Sequence, residues 1–305
     1  MTIPKSYSHI RKRTITEYVF FIQNNLENYT VKQMCKALKF ARSTYYEALV
    51  HSPSNKEQEY QRFSEEVKAC FEQSKKLYGA IKIHRKLIEK GIPCSIKRVQ
   101  RHMQRQGLRS LVVRKYNYKV NQGKVPDTKE NILNRDFTAE TINQKWVTDI
   151  TYIYVLREGW TYLASVMDLH NRKIIGYAYG KNITADLALN AVKNACLNVT
   201  DTKGILLHSD LGSQYTSDLF EKYMNENGLV HSFSRKGNPY DNACIESFHS
   251  VLKKEEIYLH TYQDFEECRK AIFEYIECWY NRQRIHSALG YKTPQQVEEE
   301  ALQSA

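Results

Sequence analysis

Apolar positions recur at helical spacing through much of the first part of the chain. Thr30–Leu49 predicts two short helices joined by a tight turn, and Glu57–Ser74 predicts a longer helix. Tyr78–Leu108 predicts two further helices, the first of which ends at the Gly-Ile-Pro sequence of residues 91–93. Four positions of that helix are expected on its inward face: Ile81, His84, Leu87 and Ile88.

The second helix of this later pair has an apolar face and a basic face. Ser95 is expected to cap its first turn, and the inward positions are Ile96, Val99 and Met103. A basic helix face suits contacts with DNA phosphates and base edges, although an ordinary charged surface helix has the same pattern. The outward residues are Lys97, Arg98, Arg101, Gln104 and Arg105.

The earlier pair, Thr30–Leu49, has the pattern of a helix-turn-helix. Arg42 stands at the start of its second helix, which in such units enters the major groove. Arg42 is therefore a candidate DNA contact. A plain helical hairpin fits the same short pattern.

From residue 143 onward the pattern changes to strands rich in β-branched and aromatic residues. Trp146–Val155, Tyr162–Asp168 and Lys173–Tyr179 predict two antiparallel hairpins. Helices and short strands then alternate, which predicts an α/β domain with a mixed sheet flanked by helices. The later elements are helix Ala185–Leu197, strand Gly204–Ser209, helix Ser217–Asn227, strand Leu229–Ser234, and helices Asn242–Tyr258 and Gln263–Tyr280.

These patterns predict four segments. They are a helix-turn-helix-like segment at 1–54, a second helical DNA-binding domain at 55–110, a basic linker at 111–137 and a catalytic domain with a helical extension at 138–305. The linker interleaves Lys, Arg and Tyr, so it either follows a nucleic-acid backbone or is simply solvated.

Charge separates the two halves of the chain. Residues 1–137 hold 28 Lys and Arg against 12 Asp and Glu, a net charge of +16, whereas residues 138–305 hold 17 against 22, a net charge of −5. This asymmetry fits a part that grips nucleic acid and a part that carries catalytic carboxylates.

Cysteines and hydropathy limit the compartment. The seven cysteines form no CxxC pair, and no secretion signal or membrane-length apolar run is found. We expect reduced thiols, a cytoplasmic location at the nucleoid and no membrane partner.

Three acids are the candidate catalytic residues: Asp149, Asp210 and Glu246. Asp149 lies within a strand, and Asp210 follows a later strand. Glu246 lies near the start of a helix, and 35 residues separate it from Asp210. Carboxylate oxygens are the ligands that Mg²⁺ prefers, and metal ions neutralise phosphate charge during cleavage. Each acid alone also fits an ordinary turn or surface role.

The helix of Glu246 places further polar side chains beside it. Lys253 is two turns away on the same face, and Asn242 and Ser250 share that stripe. Ile245, Phe248 and Leu252 are expected to pack on the sheet.

Several sequence words together resemble the DDE transposases of bacterial insertion sequences, in particular OrfB of insertion-sequence family three, which is related to retroviral integrases. The words are WVTDIT, HSDLGSQY, SFSRKGNPYDNACIESFHSVLKKE and YNRQRIHSALGYKTP, with MCKALKFARSTYYEAL and YGAIKIHRKLIEKG in the first part. The resemblance covers nearly the whole chain. It implies a ribonuclease-H-like catalytic domain in which Asp149, Asp210 and Glu246 hold two Mg²⁺ ions, with Mn²⁺ as a possible substitute.

The resemblance also implies residue roles and partners. Lys253 matches a basic residue that holds a DNA phosphate, and His208 and Asn242 support the metal ligands from outside. Arg282, Arg284 and His286 either contact DNA or lock the terminal helix. The expected partners are the terminal repeats of the element, target DNA, further copies of the chain, and OrfA or an OrfA–OrfB fusion, since no sustained heptad run is found here.

The resemblance thus implies a transposase that cleaves strands at insertion-sequence ends and joins them to target DNA. Two alternatives remain open at this stage. One is a structure-selective nuclease of the same fold, and the other is a non-catalytic DNA-binding regulator or inactive transposase remnant.

Overall fold

The structure is a computed structural model that describes residues 14–50, 52–112, 130–235 and 238–304. By its contacts the chain divides into two compact units, residues 1–66 and 67–305. Most of the second helical segment therefore shares a unit with the sheet. The four-segment division stays a prediction, and residues 113–129 of the expected linker lie outside the described residues.

Three short helices lie in the first unit: α1 (Ile15–Gln23), α2 (Val31–Ala37) and α3 (Arg42–Val50). Thr30 begins α2 with a reciprocal cap, because its hydroxyl accepts the Gln33 N–H and the Gln33 side chain accepts the Thr30 N–H. The two predicted helices are confirmed, and α1 is an additional one. Their shared core consists of Ile22, Met34, Cys35 and Tyr45.

The next helices are α4 (Asn55–Gln73), α5 (Ala80–Glu89) and α6 (Ile96–Arg105). As predicted, Ser95 caps α6, and its hydroxyl accepts the Arg98 N–H at 3.2 Å. Gly91 ends the preceding turn with φ +76°, a left-handed conformation that glycine adopts without strain.

The predicted inward face of α5 is wrong in part. Ile81 and Ile88 are 51% and 44% exposed, whereas Ile83 and Leu87 are fully buried. Ile83 and Leu87 are four residues apart and form one stripe toward α6, which leaves Ile81 and Ile88 on its flanks. Ile96 of α6 was also expected inward and is 38% exposed, because it lies in the first turn of the helix.

Five strands form one mixed sheet in the order β3-β2-β1-β4-β5. The long antiparallel strands are β1 (Lys145–Val155), β2 (Gly159–Asp168) and β3 (Ile174–Gly180), and the short parallel ones are β4 (Leu206–Ser209) and β5 (Val230–Phe233). The mixed sheet predicted from the sequence is confirmed. β1 pairs with β4 in parallel, with Val147 opposite His208.

One face of this sheet is covered by α7 (Ala185–Cys196) and α8 (Asp218–Glu226). Trp146, Ala164 and Val166 point from the strands into this core. The helix and sheet approach so closely that a Cβ on Gly176 would lie 2.4 Å from the carbonyl oxygen of Ala191. Only glycine fits there.

Successive side chains of a strand alternate between faces, so Asp149 and Ser165 point away from that core. Helix α9 (Ala243–Glu255) packs on this second side and buries Ile245, Phe248 and Leu252, as predicted. After it come α10 (Phe265–Phe273) and α11 (Pro294–Ser304).

The helix predicted over Gln263–Tyr280 is α10 followed by a π-helical stretch, Glu274–Tyr280. This wider turn buries Trp279 and Tyr280 side by side. Tyr78, just before α5, joins the segment that follows, because its hydroxyl donates to the Gln283 carbonyl at 3.2 Å and accepts the Ile285 N–H at 2.9 Å. Within the described residues, no helix has the length and apolarity needed to cross a membrane.

Candidate active site

Asp149 lies on β1, and Asp210 directly follows β4, the parallel strand paired with β1. Each stands two residues after the Val147–His208 pair, and the charge of Asp149 acts on Asp210. Oδ1 of Asp149 accepts the N–H of Ile150 at 2.8 Å, and Oδ1 of Asp210 accepts the N–H of Gly212 at 2.9 Å. The carboxyl ends of parallel strands are where α/β sheets place functional groups.

Glu246 is held toward the same place by its neighbours on α9. Asn242, Glu246 and His249 are spaced by four and three residues and share one helix face. Nδ2 of Asn242 donates to the Thr148 carbonyl oxygen at 3.2 Å, and Nδ1 of His249 lies 3.4 Å from Oδ2 of Asp149. Glu246 stands between these two contacts and therefore faces β1 beside Asp149.

Two of the three acids, Asp210 and Glu246, have raised pKa values. Burial, and next the charge of Asp149, raise the pKa of Asp210 to about 6, while the hydrogen bond from Gly212 opposes this. The pKa of Glu246 is also raised by burial, Asp149 and Asp210. Surrounding protein atoms desolvate both carboxylates, yet Asp210 and Glu246 each keep surface that is open to solvent, so a ligand can reach them. Like charges held together in this way attract a cation.

The donor set fits divalent metal ions by its chemistry. Three carboxylates supply hard oxygen ligands, and a cation would remove the repulsion that raises the two pKa values. Among the described residues, no three His, Cys, Asp or Glu side chains already converge as ligands of one ion. The acids are thus assembled on one side of the sheet without forming a closed metal cage.

His249 was missed by the sequence analysis. Its ring lies between Asp149 and the Ser165 hydroxyl, 3.4 Å from each, and is buried. Its spacing of three residues from Glu246 could have revealed it, because such residues share a helix face. Tyr215 was also not singled out. Its buried hydroxyl lies 3.2 Å from Thr148 Oγ1, and burial with the charge of Asp149 raises its pKa.

His208, predicted to support the metal ligands, ties β4 to β5. Its Nδ1 lies 2.9 Å from the Ser232 hydroxyl and its Nε2 lies 3.0 Å from the Ser234 hydroxyl. Burial lowers the pKa of His208 to about 4, against the opposing effect of Asp241, so the ring is neutral at pH 7. It steadies the strand that leads to Asp210.

A buried cluster of hydrogen bonds to the Asp241 carboxylate, the Asp241 cluster, fixes the chain just before α9. Oδ1 accepts from Arg135 at 2.7 Å and from Arg235 at 3.0 Å, and Oδ2 accepts from Asn131 at 2.9 Å. Burial by itself would raise the pKa of Asp241, but the hydrogen bonds and charges of Arg235 and Arg135 outweigh it and hold the pKa well below its usual range. This anchors the entry to the helix that carries Glu246.

Lys253 lies two turns beyond Glu246, as expected, and its ammonium group is 4.2 Å from the centre of the Tyr152 ring. Burial lowers the pKa of Lys253, and the charge of Asp149 opposes that shift. Lys253 therefore lies within reach of the charge of Asp149.

The basic face predicted on α6 is present. Lys97, Arg101 and Arg105 are exposed and Arg98 is half-buried. Burial, followed by the charges of Arg98, Arg105 and Arg101, lowers the pKa of the buried His102, which shows a strong positive field on this helix.

Arg42, in the first unit, begins α3 and lines an open basic pocket of about 480 Å³. The sequence analysis did not single out the three lysines beside it. The pocket is lined by Lys32, Lys36, Lys39 and Arg42 with Cys35, Phe40 and Ala41.

Of the three residues Arg282, Arg284 and His286, two have the structural role that the sequence offered as an alternative to DNA contact. Arg284 is buried and pairs with Glu255 of α9 at 2.9 Å. Burial, with the charges of Arg284 and Lys82, lowers the pKa of His286 to about 3, so the ring stays neutral. Arg282 remains exposed.

Comparison with known families gives three matching models. Two Integrase core domain models match residues 139–239 and 227–294, and an HTH-like domain model matches residues 58–116. The integrase core models thus cover the sheet, the three acids and the Arg284 segment, and the HTH-like model covers the region of α4 to α6.

The chain is similar to Transposase InsF for insertion sequence IS3A of Escherichia coli (strain K12), at 38% identity over 288 residues, which are 94% of this chain and 99% of that protein. It is 36% identical over 272 residues to the Insertion element IS600 uncharacterized 31 kDa protein of Shigella sonnei, across 89% of this chain and 100% of that protein. Among solved structures, the HTLV-2 integrase catalytic core domain in complex with magnesium (trimeric form) aligns with a TM-score of 0.39 and 15% identity, over 53% of this chain and 99% of that chain.

Proposed function

The chain belongs to the family of insertion-sequence transposases that includes InsF, and from this premise we propose that Asp149, Asp210 and Glu246 are the acids that cut and join DNA strands. As a transposase it is an enzyme of the polynucleotidyl transferase type and binds DNA. The proposal concerns which residues act, and on which parts of the DNA.

One observation carries the proposal. Asn242 and His249, which flank Glu246 along the helix, contact the Thr148 carbonyl oxygen and Asp149, and Asp210 directly follows the strand paired with β1. Burial, and after it repulsion from the neighbouring carboxylates, raise the pKa values of Asp210 and Glu246. This grouping of acids does not stabilise the fold, since repulsion between like charges is unfavourable.

Integrase core enzymes depend on divalent metal ions, and we propose two Mg²⁺ ions here, with Mn²⁺ able to replace them. Bound ions would stabilise the attacking and leaving oxygens of an in-line displacement at phosphorus. The chain's own residues would hold these ions: the three carboxylates would bind them, and His249 orients Asp149. Lys253 binds a phosphate next to the cleaved bond.

We further propose that the DNA is the pair of terminal repeats of the element together with target DNA, engaged by several copies of the chain near the nucleoid. The α6 face (Lys97, Arg98, Arg101 and Arg105) and Arg42 would bind the phosphate backbone. OrfA, or an OrfA–OrfB fusion, would supply further end recognition. His208 and Asn242 would hold the strands that carry the two aspartates.

The test uses labelled DNA that carries the element's own ends, Mg²⁺ and the full chain, with and without OrfA. Wild type is compared with Asp210→Asn and with Asp218→Asn, which changes an exposed acid of α8. We expect end-specific nicking and joining by wild type and Asp218→Asn, and none by Asp210→Asn, while all three bind the DNA alike.

Cleavage that survives in Asp210→Asn would refute the assignment of the acids. DNA binding without cleavage by wild type, even with OrfA present, would favour a regulator over a catalyst. Cleavage at branched DNA irrespective of the repeats would favour a structure-selective nuclease.

A further inference from the structure

Three aromatic rings lie uncovered on one face of the β1–β2 hairpin. Tyr152, Tyr154 and Trp160 are 43%, 54% and 54% exposed. Trp160 stands directly opposite Tyr154 across the strand pair, and its ring centre lies 5.2 Å from that of Tyr152 and 5.3 Å from that of Tyr154. We call these three residues the aromatic patch.

The patch continues a sheet face that is otherwise buried. Trp146, Ile150 and Tyr162 share its side of the strands and pack under α7. Beyond the helix the same face carries three large rings in water. Such rings normally mark a binding surface, since monomeric proteins rarely expose contiguous apolar patches without a use.

Lys253 connects the patch to the acids. Its ammonium group lies over the Tyr152 ring at 4.2 Å, and its pKa responds to the charge of Asp149. Asp149 and the three rings lie on opposite faces of β1. Lys253, from the helix on the Asp149 face, reaches the Tyr152 ring, and β4 leaves this edge of β1 unpaired beyond Val147. A cation for a phosphate therefore stands at the strand edge between the two faces. Glu158, in the hairpin turn, forms an ion pair with Lys181 at 2.7 Å.

On the basis of the proposed function, we propose that the aromatic patch stacks an unpaired base of the DNA end, next to the phosphodiester that is cut. Proteins that bind single-stranded DNA combine a basic track for the backbone with aromatic rings for the bases. Here both are present within one contact of each other. The substrate of this site is then an end whose terminal base pairs are opened, with Lys253 on the phosphate and the base against Trp160 and Tyr154.

The test is photocrosslinking on the full chain. DNA ends carry 5-iodouracil at successive positions of both strands around the cleaved bond, and the Asp210→Asn background keeps the strand intact. We expect crosslinks to peptides that contain residues 152–160, at positions adjacent to that bond. Trp160→Leu should lower the crosslink yield, whereas Phe273→Leu, which removes a ring that is 52% exposed on α10, should not.

Cleavage gives a second readout in the otherwise wild-type chain. Trp160→Leu should slow cleavage of paired ends about tenfold, which corresponds to about 1.4 kcal/mol and lies within the range for one base stacked on a ring. Trp160→Tyr should retain most of the rate. Unchanged melting temperatures would show that these surface variants fold.

Crosslinks that map only elsewhere, or a wild-type cleavage rate in Trp160→Leu, would overturn the proposal. If Trp160→Leu changed the mass of the protein in solution and left crosslinking unaffected, the patch would be a contact between copies of the chain. That result would overturn the proposal as well. The crosslink needs no cutting, so it judges the patch even if cleavage survives in Asp210→Asn and the assignment of the acids fails.

Discussion

Arg284 and Glu255 form a buried bidentate ion pair at the end of the helix that carries Glu246. Nε of Arg284 lies 2.9 Å from Oε2 of Glu255, and Nη2 lies 2.9 Å from Oε1. Tyr275 and Trp279 donate to the same carboxylate at 3.0 Å and 3.3 Å. The pair thus fixes α9 at its far end, as the Asp241 cluster does at its start.

Breaking this pair from one side should destabilise the protein strongly. Arg284→Met leaves a buried carboxylate without its counter-charge, and we expect the free energy of unfolding to fall by about 3–5 kcal/mol in urea titrations. The double variant Glu255→Leu/Arg284→Met should recover much of this loss. Lys270→Ala, which removes an exposed pair with Glu274 at 4.0 Å, should cost less than about 1 kcal/mol. A similar small effect for Arg284→Met would contradict the buried pair.

Metal binding should be visible in the melting temperature without any assay of activity. In the absence of divalent ions, Asp210→Asn should melt above wild type, because it removes one of three mutually repelling charges. Millimolar Mg²⁺ or Mn²⁺ should raise the melting temperature of wild type, since a ligand of the folded state stabilises it, and should raise that of Asp210→Asn little. Equal shifts in both proteins would argue against these acids as ligands.

The Asp241 cluster should make the free energy of unfolding depend on pH in the acidic range. Its pKa is depressed in the folded chain, so its contribution is complete above the unfolded value of about 3.9 and is lost as the pH falls below that toward the folded pKa. Asp241→Asn should therefore lower the urea midpoint by a constant amount at neutral pH, and the gap from wild type should narrow below about pH 4. A gap that stays constant down to pH 3 would disprove the charge-based account.

His249 should act as a positioning residue for Asp149. His249→Leu should lower the cleavage rate about 10–100-fold, the usual cost of losing a group that orients a metal ligand, while DNA affinity is unchanged. His249→Asn, whose amide can replace Nδ1, should recover part of the rate. The control is His260→Leu on an exposed histidine. Loss of DNA binding together with rate would indicate a general structural role instead.

Lys253 should contribute one phosphate contact. Lys253→Ala should weaken DNA binding and reduce the slope of log affinity against log salt by about 1, whereas Lys253→Arg should preserve the slope. Lys254→Ala is the matched control, because the adjacent residue of α9 points about 100° away around the helix. An unchanged slope in Lys253→Ala would leave the lysine with its ring contact alone.

Residue type made the strands predictable, and helical spacing made α9 predictable. The strand that carries Asp149 is rich in β-branched and aromatic residues, and the stripe of Glu246 and Lys253 follows from helix geometry alone. The placement of Glu246 beside Asp149 also depends on Asn242, whose bond to a strand carbonyl is a tertiary contact that no local pattern shows.

Less predictable features depended on contacts between distant segments. Ile81 and Ile88 matched a helical face, yet only packing against α6 decides that Ile83 and Leu87 are the buried pair. The sequence predicted the π-helical stretch at Glu274–Tyr280 as ordinary helix, and Trp279 and Tyr280 are among its buried residues. For Arg284, a DNA contact and a structural lock fitted the sequence equally well until its buried partner was known.

The two hydrogen bonds of Tyr78 have a consequence for synthesis of the chain. The tyrosine waits for Gln283, which is 205 residues later, and at roughly 5–20 residues per second this takes about 10–40 s on the ribosome. During that time the buried surface around Tyr78 lacks its partner, and non-local contacts of this kind are slow to form even afterwards. The region before the sheet therefore completes its packing among the last events of folding, and a chain that stops short of residue 283 leaves it unfinished.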